Sequence, residues 1–433
     1  MFARRRQRFL DAMGPDAVAI VQGASLARRS ADTEFPFRQD SDFWYLTGFD
    51  QPDAVAVLRT DGGPAFTLFV QPRDRAAETW TGIRPGVEGA VADFGADEAY
   101  PCDELLEKIP KTLERAKHLH HVFGRRADLD QKIIAVQEEL RTRTKLGFAP
   151  AADIIDPRHA LHEMRLFKEP EELELMRAAA AISAEAHERA AALAHPGNHE
   201  YQLEAELLHV FRGRGGSGPA YTSIVGGGHN AAILHYVTND KPLEPDTMVL
   251  IDAGAELAGY ASDVTRTYPV GGRFTGAGRA VYEVVLAAQE AALAECRPGS
   301  TLPEIHKAAV RVLAEGMVSL QLLEGTVDDI VADETYKPWY MHGTSHWLGL
   351  DVHDVGTYSH GETPRKLEPG MVFTVEPGLY VREDDENAPE SLRGLGVRIE
   401  DDVVITDDGH ENLNTAIPKR IADVEAWVRA GAA

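Results

Sequence analysis

The stretch TMVLIDAGAELAGYASDVTRTYPV, residues 247–270, contains the pattern that decides the fold of the second half of the chain. Its first part, MVLID, has the continuous apolar pattern of a buried strand, and DVTRTYPV is typical of a partner strand. A short turn separates them. With residues 257 and 258 in the turn, an antiparallel ladder places Asp252 directly opposite Asp263, with Cβ atoms about 4.5–5.5 Å apart on one face.

Two carboxylates at that separation repel each other, so the hairpin needs a shared proton or a cation to offset the repulsion. Aspartate is also disfavoured inside strands, which makes two of them in one hairpin costly without a function. A bulge of one residue at Gly259 would shift the register. The alternative interpretation is a pair of exposed aspartates that flank a turn. The hairpin therefore predicts a carboxylate pair that shares a proton or binds a cation, on condition that its turn is tight.

Histidines are concentrated in the segment MHGTSHWLGLDVHD, which contains His342, His346 and His353. The first two have the spacing of a helical zinc motif, but Gly343 stands where a HExxH protease has its glutamate. The glycines also argue against a helix here. Any one of these histidines alone would more often be structural, whereas three within twelve residues favour a functional site.

Two glutamates end apolar strand patterns further along the chain. TVEPGLY places Glu376 at the end of one strand, and GVRIEDD places Glu400 at the end of another. Arg398 and Glu400 are two residues apart and so share a face. A single glutamate at a strand end is usually exposed, so neither residue indicates a site by itself.

The length of 433 residues predicts two domains, with a boundary just before Pro170. Alternating strands and helices predict an α/β domain over 1–168. Pairs of helices before strand-like segments predict a curved sheet covered by helices over 169–433. The predicted strands of the first domain are 17–23, 53–60 and 65–72, and its predicted helices are 102–116 and 128–144. In the second domain the predicted helices are 171–194, 199–213, 276–296 and 302–323, and the strand-like segments are 222–239, 247–270, 339–355, 370–376 and 396–406.

Bulk properties exclude several classes of protein. A net charge of −25 makes a nucleic-acid partner a poor expectation, and no apolar run approaches the roughly 20 residues of a membrane span. Cys102 and Cys296 are far apart, so we expect neither a disulfide framework nor a cysteine zinc site. A reduced, cytoplasmic setting fits best. The basic N-terminus, with arginines at 4, 5, 6 and 8, predicts an amphipathic helix with a solvated basic face rather than a secretory signal.

Four segments together resemble the metal-binding signature of the pita-bread metallopeptidases: IDAGAELAGYASDVTRT, MHGTSHWLGLDVHD, TVEPGLY and GVRIEDD. The likeness is greatest to the aminopeptidase P (Xaa-Pro aminopeptidase) group, and RSADTEFPFRQDSDFWYLTGF extends it into the first domain. The resemblance implies an N-terminal α/β domain, which serves oligomerisation and substrate access, followed by a pita-bread catalytic domain. It implies five metal ligands, which are Asp252, Asp263, His346, Glu376 and Glu400.

The charge of this ligand set indicates how many ions it holds. Four carboxylates carry −4, which two divalent ions neutralise and one does not. Oxygen-rich ligands suit hard or borderline cations such as Mn²⁺. A water that bridges two such ions has a lowered pKa and supplies hydroxide near neutral pH.

The resemblance also implies a role for each residue. Asp252 would bind one metal, Asp263 and Glu400 would bridge both, and His346 and Glu376 would complete the other site. A bridging hydroxide would attack the scissile carbonyl, and Glu376 would relay its proton. The remaining active-site positions are His235 and His353, which line the substrate site and can stabilise the tetrahedral intermediate, His342, and the supporting residues Tyr380 and Arg398.

The implied activity is release of the first residue from peptides with proline second, with Mn²⁺, by a tetramer or dimer. Proline has no amide N–H, so it needs a specialised pocket that the sequence does not display. A prolidase, which accepts only dipeptides, shares the fold and ligands and is the main alternative. A methionine aminopeptidase leaves the first domain unexplained. A creatinase-like hydrolase works without metals, and a non-catalytic binding protein could lose ligands, whereas all five are present here.

Overall fold

The structure is a computed structural model, and it describes residues 1–431. Contacts divide the chain into two compact units, Met1–Met164 and a second that begins at Arg165. The predicted domain boundary after Lys168, and the roles predicted for the two domains, remain predictions. Across the described residues, no helix is both long enough and apolar enough to cross a bilayer.

The first unit is a mixed sheet covered by helices. Its helices are α1 (Phe2–Met13), α2 (Ser41–Thr47), α3 (Arg75–Thr81), α4 (Gly86–Ala92), α5 (Leu105–Leu113), α6 (Ala127–Thr142) and α7 (Arg158–Leu166), the last of which contains the division between the units. Its strands are β1 (Ala17–Gln22), β2 (Arg28–Ser30), β3 (Thr33–Glu34), β4 (Val55–Arg59), β5 (Phe66–Val70), β6 (Glu98–Pro101), β7 (His118–His121) and β8 (Asp153–Ile155). The main sheet has the order β6-β5-β4-β1-β7-β8.

Within that sheet only β4 runs against its neighbours. Strand β1 pairs antiparallel with β4 and parallel with β7, and β5 pairs parallel with β6. All six residues of β1 are buried, because both faces of the sheet are covered. Val18 and Ile20 pack into a core with apolar residues of α5 and α6. The predicted α/β architecture, with its strands and helices, is confirmed.

The predicted solvated face of α1 is wrong for two of its arginines. Arg5 and Arg6 are buried. The Arg5 guanidinium lies 4.1 Å from the centre of the Tyr45 ring, and Arg6 lies 4.1 Å from that of Phe66. Arg6 also donates to the carbonyl oxygen of Leu46, at 3.1 Å. A planar guanidinium can stack on an aromatic ring while its edge donates hydrogen bonds, so a basic helix face can be buried.

The second unit combines antiparallel strands with longer helices. Its helices are α8 (Pro170–Ala191), α9 (Glu200–Gly213), α10 (Gly276–Ala294), α11 (Leu302–Ser319), α12 (Val327–Ala332) and α13 (Ile421–Ala430). Its strands are β9 (Gly218–Pro219), β10 (Ile224–Gly227), β11 (Met248–Asp252), β12 (Ala255–Leu257), β13 (Tyr260–Ala261), β14 (Thr265–Pro269), β15 (Ser359–His360), β16 (Thr363–Pro364), β17 (Val372–Val375), β18 (Gly378–Tyr380), β19 (Gly396–Arg398), β20 (Asp401–Ile405) and β21 (His410–Asn412). The predicted helices and the predicted antiparallel sheet are confirmed.

The hairpin over 247–270 forms, but its register differs from the prediction. The turn residues are Ala258 and Gly259, with φ of 49° and 84°, and Leu257 pairs with Tyr260. Positive φ at both positions is the type I′ geometry that matches strand twist. Asp252 therefore pairs with Thr265. Its predicted direct opposition to Asp263 is wrong, and Asp263 is instead a diagonal neighbour on the same face.

In two of the predicted strand-like segments, the structure has a shorter strand or none. Only β10 forms within 222–239, and a 3₁₀ turn, Gly228–Ala232, follows it. Over 339–355 the described chain has no strand and only an isolated bridge between Trp347 and Phe373. Glycines interrupt both segments, and the apolar residues Ile233, Val237 and Met341 are exposed rather than buried in a strand.

A fully buried histidine ties α8 to the strands of the hairpin. His187 Nε2 lies 2.9 Å from the carbonyl oxygen of Ala253, to which it donates, and Nδ1 accepts from the Tyr268 hydroxyl at 3.1 Å. The ring is neutral in this arrangement. Burial lowers its pKa from 6.5 to about 4, although the hydrogen bond to Ala253 acts in the opposite direction.

This histidine predicts a loss of stability in mild acid. The unfolded chain protonates His187 near pH 6.5 and the folded chain only near pH 4, so its stabilising contribution is complete above pH 6.5 and is lost as the pH falls between these values. The loss amounts to about 3 kcal/mol. In His187→Gln we expect lower stability at pH 7 and a shallower fall of the unfolding temperature between pH 6.5 and 4. The matched control is the exposed His209→Gln in α9, and an unchanged slope in His187→Gln would contradict the assignment.

Candidate active site

One cavity of the second unit, of about 550 Å³, gathers most of the residues singled out in the sequence. We call it the carboxylate cavity. All five implied metal ligands line it: Asp252, Asp263, His346, Glu376 and Glu400. Of the other implied site residues, it is lined by His235, His342, His353 and Arg398. Tyr380 is outside this lining set, but it is hydrogen-bonded to two of its members.

The ends of strands position the carboxylates. Asp252 is the last residue of β11, Glu376 directly follows β17, and Glu400 lies between β19 and β20. Pro377 follows Glu376 and cannot donate to a ladder, so the sheet pairing changes there. His346 lies on irregular backbone that Thr374 holds, through bonds from Thr374 N–H to the His346 carbonyl, at 3.0 Å, and from His346 N–H to Thr374 Oγ1, at 3.2 Å.

Three of the five side chains form a tight group. One ligand atom from each of Asp263, His346 and Glu400 lies within 4.8 Å of the other two. The His346 ring nitrogen Nε2 is 3.4 Å from Asp263 Oδ2 and 3.5 Å from Glu376 Oε1. Its other nitrogen, Nδ1, is 3.0 Å from the Trp347 carbonyl oxygen. Since a carbonyl can only accept, Nδ1 carries a proton, and Nε2, once it has no proton, presents its lone pair to a cation held among the carboxylates.

The carboxylates are held in an unfavourable environment. Burial raises the pKa of Glu400 well above its ordinary value, and the nearby Asp263 and Glu376 raise it further. Burial also raises the pKa of Glu376 to about 7, although His346 and Arg398 oppose the shift. For His346 burial acts to lower the pKa, but the adjoining carboxylates of Asp263 and Glu376 raise it to about 9. The group therefore attracts positive charge.

Arg398 connects two of the carboxylates. It donates to Asp252 Oδ2 at 2.6 Å and to the hydroxyl of Thr265 at 3.0 Å. The Thr265 hydroxyl in turn donates to Glu400 Oε2 at 2.6 Å. Tyr221 donates its hydroxyl to the other oxygen of Asp252, at 2.6 Å. One arginine charge beside four carboxylates leaves most of the negative charge uncompensated.

A second chain of hydrogen bonds leads from Arg398 to His342. Arg398 donates to the Tyr380 hydroxyl at 3.0 Å, and that hydroxyl lies 2.8 Å from His342 Nε2. His342 Nδ1 lies 2.7 Å from the Gly343 carbonyl oxygen and must donate to it, so Nε2 accepts from Tyr380. Burial, followed by the charge of Arg398, lowers the pKa of His342 to about 4. This histidine is held neutral.

The remaining two histidines are the accessible ones. His235 and His353 are both exposed, and both line the carboxylate cavity. The His353 ring stands edge-on to that of His346, with centroids 4.4 Å apart. Both can therefore meet a substrate from the solvent side of the carboxylates.

The sequence analysis missed three contributors to this site. Tyr221 and Thr265 bond to the carboxylates as described, and Asp402 accepts the backbone N–H of Asp263 at 3.0 Å. Thr265 and Asp402 carried a usable signal, because each is two residues from a singled-out acid and so shares its face. Nothing in the local pattern distinguishes Tyr221.

The donor set fits divalent cations. Four carboxylates, of which Asp252, Glu376 and Glu400 have raised pKa values, converge on a histidine whose Nε2 faces them, and oxygen with imidazole nitrogen suits Mn²⁺, Zn²⁺ or a similar ion. A cation would relieve the mutual repulsion of the carboxylates and reverse their pKa shifts.

Each of the two units matches a known protein family model. Residues 174–407 match the family model described as Metallopeptidase family M24, and residues 2–122 match that of the Aminopeptidase P N-terminal domain. The chain is 45% identical to Xaa-Pro aminopeptidase of Escherichia coli (strain K12) over 427 residues, which are 98% of this chain and 96% of that protein.

Solved structures of aminopeptidases are also similar to this chain over nearly its whole length. Pseudomonas aeruginosa aminopeptidase PepP is similar with a TM-score of 0.96 and 44% identity, covering 100% of this chain and 98% of that chain. A glutamate-to-alanine variant of Escherichia coli aminopeptidase P in complex with substrate has a TM-score of 0.95 at 44% identity, with coverage of 100% and 98%.

The position of Thr265 predicts its contribution to cation binding. In Thr265→Val, the link between Arg398 and Glu400 is lost and a buried Glu400 oxygen loses its donor. We expect the affinity for Mn²⁺, measured by calorimetric titration, to fall roughly 10- to 100-fold, the usual effect of losing a partner of a metal ligand. The matched control is Thr112→Val, since the Thr112 hydroxyl bonds only within α5, to Lys108. Equal affinities in the two variants would contradict the role of Thr265.

Proposed function

The chain belongs to metallopeptidase family M24, and we propose that it removes the first residue from peptides whose second residue is proline. The observation that carries this proposal is the convergence of five ligand-type side chains and two accessible histidines in one cavity. Near-complete coverage of relatives named Xaa-Pro aminopeptidase supports the substrate class.

We further propose that the carboxylate cavity holds two divalent ions, most naturally Mn²⁺. Asp252 would hold one ion, His346 and Glu376 would hold the other, and Asp263 with Glu400 would contribute to both. The support is the charge count, since one arginine leaves the four carboxylates largely uncompensated. When bound, such ions lower the pKa of a coordinated water and so supply the nucleophile near neutral pH.

Side chains of the protein transfer the proton and stabilise the charge that develops on the carbonyl oxygen. Glu376 accepts a proton from the attacking water and passes it to the departing proline nitrogen. That nitrogen belongs to a tertiary amide and has no hydrogen, so it leaves as an amine only after protonation. His235 and His353 donate hydrogen bonds to the carbonyl oxygen as its negative charge develops.

Three residues keep this machinery in place. Arg398 orients Asp252 directly and Glu400 through Thr265, as their hydrogen bonds show. Tyr380 holds His342 neutral with its Nε2 occupied. His342 therefore acts in the proposal as an orienting group beside Glu376, from which its Nδ1 is 3.7 Å.

We also propose a cytoplasmic enzyme that assembles as a homotetramer or homodimer. The reduced cysteines and the acidic charge fit the first part. For the second, the first unit exposes large apolar side chains, Trp80 at 88% and Ile83 at 79%, which another copy would cover.

Substrate length decides between the proposed activity and that of a prolidase. We expect rapid release of the first residue from Xaa-Pro-Yaa tripeptides, slow hydrolysis of Xaa-Pro, and little cleavage of the matched Xaa-Ala-Yaa, measured by chromatography of the products. Hydrolysis of dipeptides alone would show that the prolidase alternative is right.

Removal of the metal tests the site itself. We expect exhaustive chelation to abolish tripeptide hydrolysis and added Mn²⁺ to restore it. In Asp263→Ala, the loss of a shared carboxylate should lower both the bound metal, measured by elemental analysis, and kcat by at least about 100-fold. Asp407→Ala, an exposed aspartate in the same unit, is the control. If Asp263→Ala kept wild-type metal content and rate, the metalloenzyme proposal would be wrong.

A further inference from the structure

The first unit has a cavity of its own, of about 660 Å³. It lies at the edge of the sheet where the parallel strands end. Gln22 closes β1, Cys102 follows β6, and Arg125 and Arg126 precede α6. We call it the switch-point cavity, because it lies where the chain reverses its direction across the sheet.

The chain reverses direction across the sheet between β1 and β7. From β1 it moves through β4 and β5 to β6, and it then returns to β7 and β8 on the other side of β1. After β1 it passes through the short β2–β3 hairpin into α2, which packs with α1, whereas after β7 it enters α6, which packs with α5. His120 contacts Phe9 of α1 while the preceding Leu119 lies in the core of α5 and α6, so these helix pairs cover opposite faces. Loops that leave neighbouring strands towards opposite faces open a crevice, which is where open α/β sheets bind ligands.

Two arginines, Arg125 and Arg126, are among the residues that line the switch-point cavity. Helix α6 begins at Ala127 with Arg126 as its N-cap, so its positive dipole end lies at this edge. Arg125 donates one N–H to Asp40, and Arg126 donates two to Asp128. A guanidinium has five donors, so both arginines retain capacity for a carboxylate.

Two acids line the same cavity. Asp53 and Asp103 are the acids among the lining residues. Burial, then Asp103 and Asp53, raise the pKa of the Cys102 thiol, and Arg126 opposes them, so charges of both signs act on this one sulfur. The lining residues thus comprise two cations and two anions, a set that complements a ligand with one charge of each sign.

A buried amide supplies an independent sign of a missing partner. Gln22 is 8% exposed and lies in the wall of the switch-point cavity. Among residues 1–431 its Nε2 has no hydrogen-bond partner. A buried donor without an acceptor costs about 1–3 kcal/mol, which an oxygen atom of a ligand would offset.

We propose that the switch-point cavity binds a small zwitterion of the amino-acid class, with its carboxylate towards Arg125, Arg126 and the start of α6. Its ammonium group lies towards Asp53 and Asp103. On binding, the Gln22 side chain turns so that its amide donates to the carboxylate. This site is separate from the carboxylate cavity in its residues, and its existence does not depend on the peptidase proposal.

The reactivity of the Cys102 thiol can report whether the switch-point cavity is occupied. It lines the cavity and is partly exposed, whereas Cys296, the other cysteine, is 2% exposed. Alkylation of Cys102 by a maleimide, followed by mass spectrometry of intact protein, therefore reports occupancy of the switch-point cavity and not of the carboxylate cavity. We expect glycine, leucine or proline at about ten times Kd to slow the alkylation about tenfold.

Chemical and protein controls make the outcome decisive. N-acetyl amino acids, amino-acid methyl esters, phosphate and methylamine should each give little protection. Arg126→Gln and Asp103→Asn should each lose protection by amino acids, whereas Arg141→Gln, an exposed arginine of the same helix, should keep it. The proposal is overturned if Cys102 does not react in the free protein, if amino acids give no protection at millimolar concentration, or if phosphate or the N-acetyl compounds protect equally well.

Discussion

Four carboxylates buried around one imidazole are the constraint on which the second unit depends. Burial and mutual repulsion raise the pKa values of Asp252, Glu376 and Glu400 together, so the group is unfavourable when fully charged. The surrounding contacts do not remove this cost, because Arg398 contributes a single positive charge. These contacts fix the positions of the carboxylates, because hydroxyls and N–H groups donate hydrogen bonds to them. A scaffold that holds like charges together is one that a cation completes.

The sequence predicts the strands around this group better than it predicts their register. The strands MVLID and DVTRTYPV can be predicted from the sequence because their apolar patterns are local. Register depends on which two residues make the turn, and Ala258 with Gly259 in place of 257 and 258 moves every partner by two positions. The two aspartates remain on one face because that shift is even. His346, Glu376 and Glu400 meet only through contacts between distant segments, so the residues alone could not identify them and the family resemblance was needed.

In the first unit the local pattern predicted the elements, but not their order in space. Alternating strands and helices indicate an α/β sheet, yet the placement of β7 beside β1 depends on non-local pairing. The reversal of chain direction, and therefore the crevice at the strand ends, follows from that order. The burial of Arg5 and Arg6 is invisible in sequence for the same reason, since their aromatic partners come from other elements.

Three consecutive acids show how strand alternation separates two ionic environments. Glu400 faces the carboxylate cavity beside Thr265, with its pKa raised. Asp401 points to the opposite face, where Arg266 donates to one oxygen at 2.6 Å and Lys419 to the other at 2.7 Å.

Burial would raise the pKa of Asp401, but these two cations lower it. Asp402 returns to the first face and accepts the N–H of Asp263. Neighbouring acids on one strand are thus compensated on one side of the sheet and left uncompensated on the other. The uncompensated side suits a cation, and the exposed His235 and His353 line the cavity on that side.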